Sequence, residues 1–527
     1  MKRKLAGLLV VILLCSPVFG GCARETGETG EQGRADKTTL IVSHRENPGS
    51  FNPDWKSDDP AYSINQNIFN KLVTLTGDFE IRPDLAKDWT ISEDGLTYTF
   101  YLEENVKWHD GTLFTSADVK WTLEAIRENA GVMLNEYKNI ESVECPDEHT
   151  VILHMSQPDS ALLSFLSWYG CFIMPKHIYE GTDWTTNPAN QEPIGTGPFK
   201  FVSWKQGESV ELEANEDYFK GAPAIRRLVF QIIPDPNTAL QAFKNGEVDI
   251  LGYGGPPHSE IKNLQQDPKT TVILKEYPSR WYLGFNFKNE VLQDHRVRES
   301  IARAIDRLEI LEKAFHGIGS EAWGFYTPAI AWAYNDEDLA PEYDIDKANA
   351  LLDQAGYKPD ADGFRMTLDF VHFPNPVVPD SAVILKEQFK KVGINLNIIQ
   401  LEMAGYLPRV FEEMNFDLTM INGFHGPDPH NLFSRIGTGG SIRVVGTYSS
   451  KELDQALLDG VKESNQAERG KLYKKAQKIM AKDLPIVPLI EVSSIIVYSS
   501  DIIGHPQSPE GCAAGVTFQD YSLIKFK

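Results

Sequence analysis

Residues 194–250 read IGTGPFKFVSWKQGESVELEANEDYFKGAPAIRRLVFQIIPDPNTALQAFKNGEVDI, and the order of elements in that stretch decides the fold class. A Gly/Pro cluster opens it, and VELEANEDY and RRLVFQIIP then have the composition of strands bounded by turn residues. DPNTALQAFKNG follows as a capped helix with a glycine stop, and EVDI begins another strand. The same alternation returns downstream. MTLDFVHF (366–373) is a strand, SAVILKEQFKKVG (381–393) a helix and INLNIIQLE (394–402) a strand. Strands alternating with helices of this length belong to α/β lobes.

Between TLIVSH (39–44), a first strand, and residue 194 the pattern changes. IRPDLAKDWTISEDGLTYTFYLEENVKWHDG (81–111) is rich in strands and turns, with SEDG and WHDG as punctuation. Thr115 or Ser116 caps a helix over FTSADVKWTLEAIRE, whose Val119, Leu123 and Ile126 recur at helical spacing. Further on, WYLGFNF (281–287) reads as a strand. DHRVRESIARAIDRLEILEKAF (294–315) reads as one amphipathic helix, with Val297, Ile301, Ile305 and Leu308 on one face. ERGKLYKKAQKIMAKD (468–483) is another helix, and PIVPLIEVSSIIVY supplies the strands beyond it.

The chain has 527 residues, 42% of them hydrophobic, enough for a large core and for two or three domains. Its formal charge is −23, so it repels phosphate backbones, and nucleic acid is not expected as a partner. MKRK is a basic start, and LAGLLVVILL is far shorter than the roughly 20 residues that span a bilayer. Small residues then lead to Cys22, as in the lipobox of bacterial lipoproteins, although Phe19 stands where Leu is usual. ARETGETGEQGRADK (23–37) is polar and Gly-rich, as a flexible tether should be. Cys145, Cys171 and Cys512 show no CxxC spacing, which argues against a metal or redox cluster. A Cys145–Cys171 disulfide and isolated buried thiols are both compatible with the sequence.

Five blocks, in order, carry a resemblance to a known family: YTFYLEENVKWHDGTLFTSADVKWTLEAI (98–126), residues 194–250, YLGFNFKNEVLQDHRVRESIARAID (282–306), KANALLDQAGY (347–357) and ERGKLYKKAQKIMAKDLPIVPLIE (468–491). The chain resembles the extracytoplasmic solute-binding proteins that serve peptide and nickel ABC importers. The resemblance spans residues 39–527. It implies a two-lobed α/β fold of the periplasmic-binding-protein type with an extra domain inserted in the N-terminal lobe. Residues 1–21 are then a signal peptide and 22–38 a lipidated tether. Residues 39–78, 190–278 and 494–527 form lobe I, 79–189 the inserted domain, and 279–493 lobe II. The expected protein is a monomer outside the cytoplasmic membrane, anchored through Cys22. It takes a small-molecule or peptide ligand in the cleft and delivers it to ABC permease subunits and their ATPase. A sensor presenting its ligand to a signalling receptor uses the same cleft.

The sequence lacks GxSxG, HExxH, GxxxxGK[ST] and strand-linked GxGxxG motifs, so no catalytic residue, metal or cofactor is expected. His109 and Asp110 of WHDG read as turn residues, and Trp108 and Trp121 as core. Three segments are candidates for the cleft wall. The loop after the first strand offers Ser50, Phe51, Asn52 and Trp55. The second segment offers Tyr253, Gly254 and Gly255, followed by Arg280, Trp281 and Tyr282. MINGFHGPDPHNLFSR (420–435) offers Asn422, His425, Asp428 and Arg435. Peptide-binding members of the family commonly place an Asp just before the Pro-Asp-Pro triplet of this last loop, where it pairs with the peptide ammonium. His425 occupies that position here, and Met420 stands where some members carry an arginine for the carboxylate. A neutral imidazole is a weaker partner for an ammonium than a carboxylate. Opine-like compounds, oligosaccharides and metal chelates therefore stay open beside peptides. Replacement of the lipobox cysteine, Cys22→Ala, should release the protein or leave it unprocessed. Detergent-phase partition of the variant checks this, and unchanged partition would overturn the lipoprotein reading.

Overall fold

The structure, a computed structural model, describes residues 37–527 except 56–57, 130, 132, 169–171, 374, 425, 427, 441, 516 and 518. The leader, Cys22, most of the tether, Cys171 and His425 lie outside the described residues. Cys145 is a free thiol, and its Sγ lies 3.3 Å from the Ser116 carbonyl oxygen.

Two long antiparallel strands, Thr270–Phe285 and Ile486–Ser499, run side by side through the middle of an eleven-stranded sheet. On one flank of this pair lie Leu418–Phe424, Met366–His372 and Ile394–Gln400, in that order outward. On the other flank lie Ile250–Leu251, Thr39–His44, Arg227–Ile232, Ser209–Ala214 and Phe199–Lys205. The short Ser320–Glu321 strand also pairs with Ile486–Ser499. Thr39–His44 is parallel to both Arg227–Ile232 and Ile250–Leu251, and Met366–His372 is parallel to Ile394–Gln400. These parallel pairs require helical crossovers. Pro236–Lys244, capped by Asp235, supplies one, and Val378–Lys390 supplies another.

The ladder between the long strands is broken in the middle. Thr270–Glu276 pairs in register with Ser499–Ser493, and pairing resumes with Arg280 opposite Glu491. Tyr277, Pro278 and Ser279 thus face Val492 alone. Pro278 has no N–H to give the ladder, and the surplus residues bend the strand. Beyond the break Trp281, Tyr282, Leu283 and Phe285 join one hydrophobic core with Val297, Ile301, Leu385 and Ile490. Before it, Ile496 and Tyr498 join another with Leu40, Val42, Leu228 and Phe230. Burial of each large side chain contributes about 1.5–3 kcal/mol, so one strand pair is held firmly at both ends and weakly at its centre.

A separate antiparallel sheet runs Ala86–Ile91, Thr97–Leu102, Thr150–Met155 and Ile140–Asp147. It has its own core of Phe100, Trp108, Val119 and Val151. Its helix, Ser116–Glu128, begins at Thr115 in a capping box with Asp118. Trp121 stacks on Tyr179 and Trp184, and Trp108 meets Phe114 edge-on. His109 donates and accepts within the turn chemistry at Gly195 and Gly197, and burial pulls its imidazole down to about 4.

Two sequence expectations change. The segment 294–315 is not one helix but two, His295–Arg303 and Arg307–Lys313. Asp306 accepts from Glu309 N at 3.1 Å and caps the second helix. Arg307 is buried, with Nε donating to Pro488 O at 2.8 Å, and Leu308 is turned to solvent at 53% exposure. The strand expected at 281–287 instead begins at Thr270 and continues across Pro278, because Ser493–Ser499 pairs with it there.

The C-terminal tail closes over the 39–44 side. Thr517 donates to Gln66 Oε1 at 2.6 Å, and Tyr521 N donates to Asn67 Oδ1 at 3.0 Å. Between them Asp520 is buried, and desolvation pushes its carboxyl up to about 6 against hydrogen bonds from Ser522 that pull it down. Unfolded, this group titrates near 3.8. The protonated form favours folding, so its contribution is complete below pH 4 and is lost as pH rises through about 6. Asp520→Asn should therefore raise the melting temperature at pH 7.5, by the equivalent of about 2–3 kcal/mol, and change little at pH 4. Equal shifts at both pH values in thermal scans would overturn this reading.

Candidate functional site

The break in the two long strands is lined by charge. Arg280 and Glu491 are cross-strand partners, 1% and 9% exposed. Arg280 Nη2 lies 3.4 Å from Glu491 Oε1, and Nη1 donates to the Gly324 carbonyl. Arg280 Nε and Glu491 Oε2 have no hydrogen-bond partner. Burial pushes the Glu491 carboxyl up, against the opposing pull of Arg280 and Thr327. An uncompensated buried donor or acceptor costs about 1–3 kcal/mol, and such atoms at a bend are groups a ligand can satisfy.

A second buried pair lies nearby, and the phenol of Tyr326, fully buried, feels Asp428 and Arg469 as well as Arg280. Asp428 receives Arg469 Nη2 on both oxygens, at 2.9 and 2.7 Å, with side-chain exposures of 6% and 8%. The same carboxylate accepts from His430 N at 3.0 Å and starts the short turn Pro429–Asn431. Arg469 Nε donates to Gly460 O at 2.9 Å, and its guanidinium lies over Trp332 at 5.2 Å. Facing this pair from the 79–189 region is Ser160. Its N–H donates to Val461 O at 2.8 Å and its hydroxyl to Glu463 O at 2.7 Å, at the C-terminal end of helix Lys451–Lys462. Beside that contact a cavity of about 140 Å³ lies between Asn139, Asp159 and Phe165 on one wall and His430, Asn431 and Phe433 on the other.

The sequence candidates occupy distinct places. Ser50, Phe51 and Asn52 are buried. Ser50 Oγ accepts from Asn52 N, and Asn52 Oδ1 from Asp54 N and Trp55 N, so the loop is tied to itself. Phe51 packs on Phe201 and Trp204, and Trp55 packs against the core around Phe100. Tyr253 stacks on His44 at 5.1 Å. Trp281 points into the core against Phe315, while Arg280 and Tyr282 take the other face. Asn422 is half-buried opposite Trp281, and Met420 is buried opposite Leu283. Arg435 donates to the Tyr282 hydroxyl at 3.2 Å and presses so closely on Gly423 that a Cβ there would collide with it. The structure thus brings Arg280, Tyr282 and Arg435 onto one face and separates them from the 50–55 loop.

Sequence reading passed over Arg469 and Glu491. Arg469 sits in a helix crowded with lysines, where it looks solvated. The neighbouring Gly470 marks the close packing there, since an added Cβ would collide with Trp332 O. Glu491 is the one charge in PIVPLIEVSSIIVY, and a lone acid in an apolar strand implies a buried partner.

Two lobes sharing a pair of bent strands, with an additional antiparallel domain, define the two-lobed periplasmic-binding-protein class. The family model for bacterial extracellular solute-binding proteins, family 5, matches residues 80–442. Heme-binding protein A of Haemophilus influenzae is 28% identical over 96% of this chain and 96% of its own length. Oligopeptide-binding protein AppA of Bacillus subtilis is 27% identical over 97% of this chain and 96% of its own. The solved structure of the periplasmic binding protein DppA from Helicobacter pylori, in complex with the peptide STSA, aligns with a TM-score of 0.80 and 26% identity. That alignment covers 93% of this chain and 98% of the other. The chain belongs to the bacterial extracellular solute-binding proteins, family 5. No helix among the described residues is long and apolar enough to cross a membrane.

Asp428→Asn removes the only carboxylate hydrogen-bonded to Arg469 among the described residues and should cost about 3–5 kcal/mol in urea unfolding. Asp428→Asn combined with Arg469→Met should recover most of that loss. A single variant as stable as the parent would show that the pair is solvated.

Proposed function

We propose that this protein captures a peptide or peptide-like solute between its two lobes, outside the cytoplasmic membrane, and delivers it to the permease and ATPase of an ABC importer. The observation that carries the reading is the strand pair Thr270–Phe285 and Ile486–Ser499, which belongs to both cores and shifts register twice in its middle, first and most widely between Glu276 and Arg280 and again between Trp281 and Tyr282. A bend at that point opens and closes a cleft without disturbing either core. Lobe I then comprises 39–78, 190–278 and 494–527, the inserted domain 79–189 and lobe II 279–493. The cores around Leu40, Phe100 and Leu283 support this division. Cys22 is the lipid anchor, and the protein works as a monomer that binds its solute without transforming it.

Peptide is favoured as the ligand class by the relatives, among which are an oligopeptide-binding protein and a neighbour solved with a peptide. The heme-binding relative is a reminder that the same frame serves other solutes. In this chain Asp428 is already occupied by Arg469 and is therefore a poor substitute for a free ammonium anchor. With His425 in the preceding position, a solute with a blocked or absent α-ammonium fits better than a simple dipeptide. Arg280, Glu491 and Tyr282 would line the floor of the closed cleft.

Native mass spectrometry of the protein purified from its host should reveal a retained solute, and X-ray scattering should give a smaller radius of gyration with it than after its removal. A verified tight ligand that is chemically altered on incubation, or that leaves the scattering profile unchanged, would overturn the proposal.

A further inference from the structure

A second cavity, of about 120 Å³, lies on the lobe I side of the break, walled by the 250–253 segment, the 494–496 segment and the returning tail at His505, Gln507 and Gln519. Ser494, on its wall, pairs with Lys275, one pair back from Glu276 and Ser493 at the edge of the broken step. We propose that this cavity is a subsite for an uncharged hydrogen-bonding group of the solute, of the carboxamide type.

The cavity's own groups carry the argument. His505 is 3% exposed and stacks flat on Tyr498 at 4.7 Å. Its Nδ1 accepts from Gln507 N at 3.2 Å, so the ring proton sits on Nε2, which has no protein acceptor. This donor opens on the cavity, where an acceptor from outside the protein can meet it. The Tyr253 hydroxyl likewise makes no hydrogen bond, and the side-chain Nε2 of Gln519 is free while its Oε1 accepts from Gln66. On the opposite wall His44 is saturated, with Nδ1 at 2.6 Å from Glu46 O and Nε2 at 2.7 Å from Ser63 Oγ. Donors and an amphiprotic hydroxyl therefore face a space that apolar solutes would leave unsatisfied.

Charge is also excluded. Among the described lining residues none is an aspartate, glutamate, lysine or arginine. Burial holds the imidazoles of His44 and His505 down to about 4 and about 3, so both are neutral under ordinary conditions. A carboxylate or ammonium entering the cavity would lose its hydration with no counter-charge on the lining itself, the Asp59, Glu46, Arg45 and Asp58 charges felt by Tyr253 standing behind it, whereas a carboxamide can accept from His505 Nε2 and donate to the Tyr253 oxygen. A site built to hydrogen-bond a group rejects an isosteric analogue that lacks it far more strongly than an apolar pocket does.

This inference places the subsite within the ligand cleft proposed above, and its test separates the two. Propionamide, propionate and propylammonium have similar size and different charge, and each is small enough for the cavity. Saturation-transfer NMR on the purified protein should show binding of propionamide alone, weakened on the order of tenfold or more in His505→Phe and in Tyr253→Phe. Tyr253→Phe removes a single oxygen and serves if His505→Phe fails to fold. In parallel, calorimetry with the N-acetylated peptides of Ala-Gln-Ala, Ala-Met-Ala and Ala-Glu-Ala should rank the glutamine peptide first. Propionamide binding without any peptide binding would keep the subsite and reject the peptide reading. Absence of propionamide binding, or binding unaffected by both variants, would mean that the cavity holds water only and would overturn the inference.

Discussion

Two antiparallel strands that belong to two cores at once are the constraint on which the rest of this molecule depends. Each half of the pair is locked by side chains on both faces: Trp281 to Phe285 and Ile486 to Ile490 at one end, Ile496 to Tyr498 at the other. Sliding either strand by one residue would turn every one of these side chains to the wrong face. The widest interruption of the ladder is the step at Tyr277, Pro278 and Ser279, with a second register shift between Trp281 and Tyr282 close behind it. The proposed hinge sits where ladder hydrogen bonds are missing, so moving it costs little while the halves on each side keep their shape.

The polar groups around that step follow from the same geometry. A strand buried on both faces has no exposed side for a charged residue, so Arg280 and Glu491 must be placed opposite one another or not at all. Asp428 and Arg469 solve an equivalent problem on loop and helix, with the aromatic face of Trp332 covering the guanidinium. Such pairs are expensive to desolvate and are weak evidence of stability in themselves. In the proposed cleft their value would lie in direction, since charges oriented before a solute arrives lower the ordering cost of binding.

Local patterns in the sequence were read successfully where the structure is locally determined. Thr115 caps its helix, Asp235 caps another, Gly356 adopts a positive φ after the helix Ile345–Gln354, and TLIVSH is a strand. The failures are equally instructive. The single helix expected at 294–315 is broken because the Asp306 carboxylate competes for Glu309 N, a local choice decided by where Arg307 finds Pro488 O across the fold. The strand expected at WYLGFNF extends eleven residues further back because its partner, distant in sequence, continues past Pro278. Ser50 and Asn52, expected at the cleft rim because they follow a parallel strand, are buried, with their oxygens accepting from backbone N–H groups of their own loop.

The sequence by itself determined the class: α/β alternation, a strand-rich stretch between 81 and 155, and a chain of family blocks in order. These features are written in periodicity, caps and turn residues, whose causes lie within a few positions of each other. Tertiary structure alone decided which polar groups meet. Arg280 and Glu491 are separated by more than two hundred positions, Asp428 and Arg469 by 41, and His505 reaches the Tyr253 cavity from the far end of the chain. Pairing across such distances depends on register and on the closing of the tail, quantities to which no local pattern responds.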